Sequence, residues 1–173
     1  MIDTLILRRP RADEELEFLH AHQATTPEVP YFLHYYQEGM PLTRYLEVLS
    51  EQERGVNLAP GHVPSTFLFA FNGPRIIGRV SIRHRLTDVL RQVGGHIGYV
   101  VVPEFRRQGY ATEMLRLALR IACDQLGIGR VLITCDDDNV ASIRTIEKNG
   151  GILEEFVTRP DLDTPKRRYR IDI

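Results

Sequence analysis

The sequence predicts an α/β (α+β) fold: a mixed, mostly antiparallel sheet with flanking helices. Three observations predict it. Residues 96–135 read as strand, turn, helix and strand, a β-α-β unit long enough for a right-handed crossover between neighbouring parallel strands. Residues 66–71 and 75–82 are β-type runs joined by Asn72-Gly73-Pro74, a turn signal between antiparallel strands. Residues 166–173 alternate, with Arg167, Tyr169, Ile171 and Ile173 on one side and Arg168, Arg170 and Asp172 on the other.

The remaining elements follow in order. Residues 4–8 are a short apolar run before Pro10 and read as a first strand. Asp13 is placed to cap a following helix with Leu16, Phe18 and Leu19 on its apolar side and Glu14 and Glu15 in its first turn. Residues 25–30 break it. The aromatic run 31–37 reads as a short helix. Leu42, Tyr45, Leu46 and Leu49 have helical spacing, so residues 42–53 read as a second helix. Residues 54–64 are a loop rich in Gly and Pro, and 83–93 are polar and ambiguous. Residues 96–102 form a strand ended by Pro103, which has no N–H for a ladder. The best helix is 112–126, with Leu115, Ala118, Ala122 and Leu126 on one side and Gly127 as its stop. A strand over 130–135, a short helix over 140–149 and a strand over 152–158 precede the last strand.

With 173 residues, 43% of them hydrophobic, the chain suits one domain, 1–173, with a substantial core. A net charge of −1 gives no footprint for general nucleic-acid or membrane-surface binding. Cys123 and Cys135 lack partners at zinc-ligand spacing, so no metal is expected. The N-terminus lacks the h-region and cleavage site of a signal peptide, and no run nears the roughly 18 apolar residues of a membrane span. The expectation is a cytoplasmic protein with no membrane partner.

Chemistry concentrates in HIGYVVVPEFRRQGYAT, residues 96–112. The turn Arg106-Arg107-Gln108-Gly109-Tyr110-Ala111 joins a strand to a helix. The first N–H groups of that helix have no internal partner and carry the positive end of its dipole. Gly109 permits close approach of an anion, Ala111 is small, and the arginines add charge at the rim. This is a phosphate site made of backbone donors. It is not a Walker loop, since no Gly-Lys-Ser/Thr follows, nor a dinucleotide fingerprint.

The stretch Val102-Pro-Glu-Phe-Arg-Arg-Gln-Gly-Tyr-Ala111 resembles the coenzyme A motif of the GNAT superfamily of N-acetyltransferases, Gln/Arg-x-x-Gly-x-Gly/Ala, with Arg106, Gly109 and Ala111 in its fixed places. The likeness continues through residues 131–135 and Asn139-x-x-Ser142 to Gly150-Gly151, and the wording is similar to a bacterial subgroup of predicted acetyltransferases. The resemblance implies a central pair of parallel strands splayed apart around acetyl-CoA. It makes 66–173 the acetyl-CoA-binding core and 1–65 a strand plus acceptor-side helices. It implies pyrophosphate on the N–H groups of Arg107, Gln108, Gly109, Tyr110, Ala111 and Thr112. Pantetheine would run along Val100, Val101 and Val102, with Asn139 and Ser142 on its other side. Asn139 is equally a helix cap.

The implied function is transfer of acetyl from acetyl-CoA to a primary amine by direct attack in a ternary complex. The chain departs from the family at Ile146, where many members carry the Tyr that protonates the leaving thiolate. Tyr169 and Tyr110 are substitutes by residue type, and Tyr110 sits inside the turn. His96, at the start of the central strand, is the preferred base by its ordinary pKa of about 6.5; it is equally a satisfied strand-end histidine. His84 is next. The acceptor, a small molecule or a peptide, would lie against the first helices and residues 83–95, with Tyr31, Phe32, Tyr35 and Tyr36 as walls or core. Glu38, Glu47 and Glu51 would attract a cationic amine or solvate a helix. Cys135 reads as a buried thiol. Two rival readings remain: a coenzyme A-binding regulatory domain without catalysis, and an interaction module using the basic end 166–170. The last strand offers an edge for a homodimer.

Overall fold

The structure, a computed structural model, describes residues 5–173. Strands β1 (Leu5–Arg8), β2 (Ser65–Asn72), β3 (Arg75–Arg83) and β4 (Ile97–Val101) form one antiparallel sheet in that order. Strands β5 (Arg130–Asp136), β6 (Ile152–Val157) and β7 (Lys166–Asp172) form a second, with β7 in the middle. The predicted strand over 4–8 is present from Leu5; residue 4 lies outside the described residues. The helices are α1 (Glu15–Thr25), α2 (Leu42–Arg54), α3 (Asp88–Gln92), α4 (Tyr110–Asp124) and α5 (Val140–Lys148).

Two cores hold the sheets. Phe67, Phe69 and Phe71 recur every second residue on β2, so they share one face, and all are buried. They meet Phe18 and Ala21 of α1 and Tyr45 and Leu49 of α2. On the other face, Ile77, Val80, Ile82 and Ile97 pack on Met114, Leu115, Ala118 and Ala122 of α4. That core runs on through Val131, Ile133, Tyr169 and Ile171, joining the two sheets. Each fully buried Phe or Leu contributes roughly 1.5–3 kcal/mol.

Three local expectations change. The first helix is entered through a 3-10 turn, Ala12–Glu14, and Asp13 is not its cap. Instead the Glu14 carboxylate accepts the Arg11 N–H at 2.7 Å and grips the Arg8 guanidinium at 2.6 Å. That Arg8 bond, with Arg11, holds the Glu14 pKa down at about 2. Leu16 points outward, 86% exposed, because the buried face is set by Phe18, Ala21 and Thr25. Residues 31–37 form turns rather than a helix. Phe32 and Leu33 bury in the core beside Phe67 and Phe69, and Tyr35 takes a left-handed φ of 69° that a helix does not accept.

The α4 crossover returns the chain beside β4 as β5. Only the start of β4 is stitched to it. His96 N–H donates to Leu132 O at 2.7 Å, and Gly95 bridges Ile133. A Cβ at Gly95 would lie 2.3 Å from Leu132 O, and its φ is +62°, so only glycine lets the chains approach this closely. Beyond the stitch no strand pairing joins β4 to β5 among the described residues. Because β7 is the middle strand, it offers no edge for a homodimer; the open edge is β6, where Ile152, Leu153 and Phe156 are exposed.

Candidate active site

The parting strands open a cleft of about 820 Å³. Its walls are Tyr99, Val100 and Val101 of β4, the turn before α4, and Asn139, Ser142 and Thr145 around α5. Val102 N–H donates to Ile77 O. Bonding alternates along an antiparallel ladder, so Val100 and Gly98 also turn their polar groups toward β3. Tyr99 and Val101 turn theirs the other way, into the cleft. Arg106 Nε on Val101 O at 3.2 Å agrees with that direction. Of the three valines singled out in sequence, Val101 offers a free N–H while Arg106 takes its carbonyl, Val100 offers its side chain, and Val102 is 1% exposed. Tyr99 is the residue that sequence reasoning missed. A strict count back from a fixed ladder bond would have found it, but the ladder's phase is not written in the sequence.

The turn is shaped as an anion cradle. Gly109, at φ 86°, caps α4, and Arg107 holds a left-handed φ of 59°. A non-glycine residue there costs roughly 1–2 kcal/mol, the kind of strain that gathers at functional sites. The N–H groups of residues 107–111 have no partner among the described residues; the first helical bonds start at Thr112 N–H and Glu113 N–H, both to Gly109 O. Arg107, Gly109, Tyr110, Ala111 and Thr112 line the cleft. Gln108 does not; its side-chain amide donates to Glu104 O at 3.0 Å. Arg106 is paired with the Glu28 carboxylate across the cleft mouth. Tyr110 stacks edge-on to Phe105, and its hydroxyl accepts from Asn72 Nδ2 at 3.0 Å, so its ring braces the turn. Opposite, Asn139 Oδ1 accepts Ser142 N–H at 3.0 Å as the α5 cap, while both residues line the cleft.

The sequence model of the acetyltransferase (GNAT) domain matches residues 4–152. The chain belongs to the GNAT acetyltransferase family. An uncharacterized N-acetyltransferase of Bacillus subtilis, YnaD, is 32% identical over 60 residues, 35% of each chain, so the match spans about a third of that relative. The ribosomal-protein α-N-acetyltransferase RimL, solved with coenzyme A, superposes with a TM-score of 0.71 at 16% identity, covering 98% of this chain and 94% of that one. A GNAT acetyltransferase from Bacillus anthracis gives 0.63 at 16% identity, covering 97% and 94%. These two likenesses establish the GNAT fold.

The candidate acid and base of this GNAT domain sit as follows. His96 Nδ1 accepts the Leu132 N–H at 3.0 Å. Its free lone pair is therefore spent on the stitch, and Nε2 carries the proton. Burial holds its pKa below the ordinary value. Taking a proton at Nδ1 would break the bond to β5, so the geometry is that of a strand-end clamp rather than a base. Tyr169 is fully buried in the core under α4 with its hydroxyl on Glu147 at 3.1 Å, away from the cleft. Tyr99 lines the cleft, its hydroxyl 3.5 Å from Ser142 O, and burial raises its pKa, so it stays a proton donor. Ile146, where the family often has Tyr, is buried. His84 bonds Thr66 at 2.9 Å. Cys135 is half-buried and its thiol is pushed up to about 11, chiefly by burial, which disfavours a thiolate nucleophile.

The basic end is neutralised. Lys166 pairs with Asp136, Arg167 with Asp137, Arg168 with Glu155, and Arg170 with Glu154 and Asp172. The Asp136–Asp138 run is thus occupied by cations of β7, and among the described residues no cluster suits a metal ion. Among the described residues no helix is long and apolar enough to cross a membrane. Of the acidic residues near the acceptor side, Glu47 and Glu51 pair with Arg44 on the outer face of α2, and Glu38 is exposed.

His34 adds a pH dependence. Burial, then the charges of Arg79, Arg83 and His62, push its pKa down to about 4. The folded state thus binds this proton less readily than the unfolded chain does. The associated stability is complete above about pH 6.5 and is lost as pH falls toward 4, by up to about 3 kcal/mol. Glu14, at about 2, contributes its loss only below the usual carboxylate range. The urea midpoint should therefore drop between pH 7 and pH 4.5, and His34→Asn should flatten that drop. An equal drop in the variant would remove His34 from the account.

Proposed function

We propose that this protein transfers the acetyl group of acetyl-CoA to a primary amine by direct attack in a ternary complex. The observation that carries the reading is the pairing of two unsatisfied backbone surfaces in one cleft: the free groups of Tyr99 with the Val101 N–H, and the open N–H groups of residues 107–111. A buried backbone without partners is costly, and pantetheine amides and a pyrophosphate supply the partners both surfaces lack. Arg106, Arg107 and the α4 dipole add charge complementarity. Asn139 and Ser142 would flank the arm from α5. The residues fit the cofactor, and no metal is needed for the step.

Acetyl-CoA, when bound, supplies a thioester activated toward amines. The amine lone pair forms the C–N bond, the C–S bond breaks, and the thiolate leaves with the electron pair. The Tyr99 or Val101 N–H, whichever faces the thioester oxygen, stabilises the developing oxyanion. Tyr99 Oη–H then gives its proton to the thiolate, in the role that Ile146 does not fill. The ammonium proton of the acceptor passes to water before attack, and the second proton, lost from nitrogen as the amide forms, passes through water to restore the Tyr99 hydroxyl, with His96 holding the strands rather than taking either.

Calorimetry with acetyl-CoA, together with thiol release against an amine panel, tests the reading. Binding in the micromolar range with turnover of at least one amine is expected; no binding would end it. Tyr99→Phe should lower kcat about 10–100-fold with little change in the KM for acetyl-CoA. An unchanged kcat would leave the thiolate to be protonated by water.

A further inference from the structure

On the face of the first sheet that α1 and α2 cover, β3 carries two arginines with no acidic partner. Arg79 is 5% exposed. Its Nε donates to Phe32 O at 3.0 Å and its Nη2 to Tyr31 O at 3.4 Å, while Nη1 has no partner among the described residues. Arg83, four residues along on the same face, spends Nη1 on Gly95 O at 2.9 Å and Gly94 O at 3.4 Å. Neither forms an ion pair among the described residues, whereas Arg8, Arg9, Arg75 and Arg106 all do. Burial lowers the pKa of both, Arg79 to about 10. His34, which these charges reach, is held neutral by burial first and then by them. A buried cation without a counter-ion is costly and rarely kept without use.

The unpartnered Nη1 lies beside Gly98 of β4. Gly98 of β4 lies opposite Ser81, beside Arg79, and is only half-buried. A Cβ there would sit 4.0 Å from Arg79 Nη1 and 3.2 Å from Ser81 Oγ. Glycine thus leaves the Ser81 hydroxyl and the Arg79 Nη1 without a side chain covering them from this position. Gly98 lies two residues from Val100 on the same strand face. Two strand residues span about 7 Å, so Gly98 is one small molecule's length from the part of β4 that lines the cofactor cleft.

We propose that the acceptor is a small amine bearing a carboxylate or phosphate, and that this anion sits on Arg79 and Arg83 over Gly98. The inference rests on the acetyl-transfer reading above and names the acceptor class within it. The anion supplies the counter-charge that the fold withholds, and the spacing places the amine at the thioester. The same positive pocket lowers the acceptor ammonium's pKa, so the attacking amine is more readily neutral. A polyamine meets like charge here and is disfavoured.

The test has two arms, each matching an anionic amine to neutral or cationic counterparts. The carboxylate arm compares 5-aminopentanoate with 5-aminopentanamide and pentylamine; the phosphate arm compares phosphoethanolamine with ethanolamine; spermidine serves as the polyamine. Thiol release should give kcat/KM at least 100-fold higher for the anionic member of one arm, which also identifies the anion. Arg83→Gln and Arg79→Met should collapse that ratio to within about threefold, with calorimetric acetyl-CoA affinity reporting that each variant is folded. Equal or better use of the neutral amines or spermidine would overturn the proposal. If no acceptor is turned over, thermal unfolding decides: the anionic probes should raise the Tm of wild type but not of Arg83→Gln, and no such rise overturns it. Loss of acetyl-CoA binding in the wild type would instead refute the cofactor reading, so the two failures are separable.

Discussion

Gly109→Trp is expected to abolish acetyl-CoA binding while leaving the protein folded. Gly109 caps α4 at φ 86°, between the unpaired N–H groups of Arg107 and Ala111. A side chain there must project from a left-handed residue, which costs roughly 1–2 kcal/mol, and an indole would fill the space an anion needs. The turn is exposed on its outer side, so the core around Met114, Leu115 and Ala118 is untouched. The expected outcome is a loss of at least about 100-fold in affinity, near 2.7 kcal/mol, with a cooperative unfolding transition retained. A titration with wild-type affinity would remove the pyrophosphate from this turn.

The second large effect is on stability. Gly95→Ala should destabilise the fold by on the order of 3–5 kcal/mol. The added Cβ would sit 2.3 Å from Leu132 O and 2.8 Å from its carbonyl carbon, backbone atoms that cannot swing aside. Relief requires the stitch to open, which also strains the two bonds from His96 to Leu132. Gly127→Ala is the control. It has a similar φ of +65° but nothing within 4 Å, so it carries the conformational cost alone, about 1 kcal/mol. Urea unfolding of the two variants separates close approach from backbone strain. Equal losses would mean that the β4–β5 contact contributes nothing beyond its dihedral angle.

These effects are large because the site is a defect in the sheet, held at one end. Much of it was legible from residues 96–112. Gly109 and the open helix start follow from local chemistry, and the helical spacing of residues 42–53 and the alternation of β7 follow from periodicity. What was not legible depends on long-range phase. Whether Tyr99 or Val100 faces the cleft turns on the ladder bond of Val102 to Ile77. His96 looks like a base by type, yet Leu132 takes its lone pair from 36 residues away. Residues 31–37 look helical in isolation, but Phe32 and Leu33 are drawn into the core by the phenylalanines of β2. Arg79 and Arg83 drew no role from the sequence; that Arg79 is buried with its guanidinium on the carbonyls of Phe32 and Tyr31 depends on residues 47 and 48 positions away.

The central claim is that coenzyme A completes the backbone of β4 as a missing strand would. Amide NMR of the uniformly labelled protein during acetyl-CoA titration tests it most directly. The account predicts large shifts and slowed hydrogen exchange at Tyr99 and Val101 and at residues 107–111, with Val100 and Val102, already bonded to β3, changing little. Saturable binding that leaves Tyr99, Val101 and the turn unperturbed would contradict it.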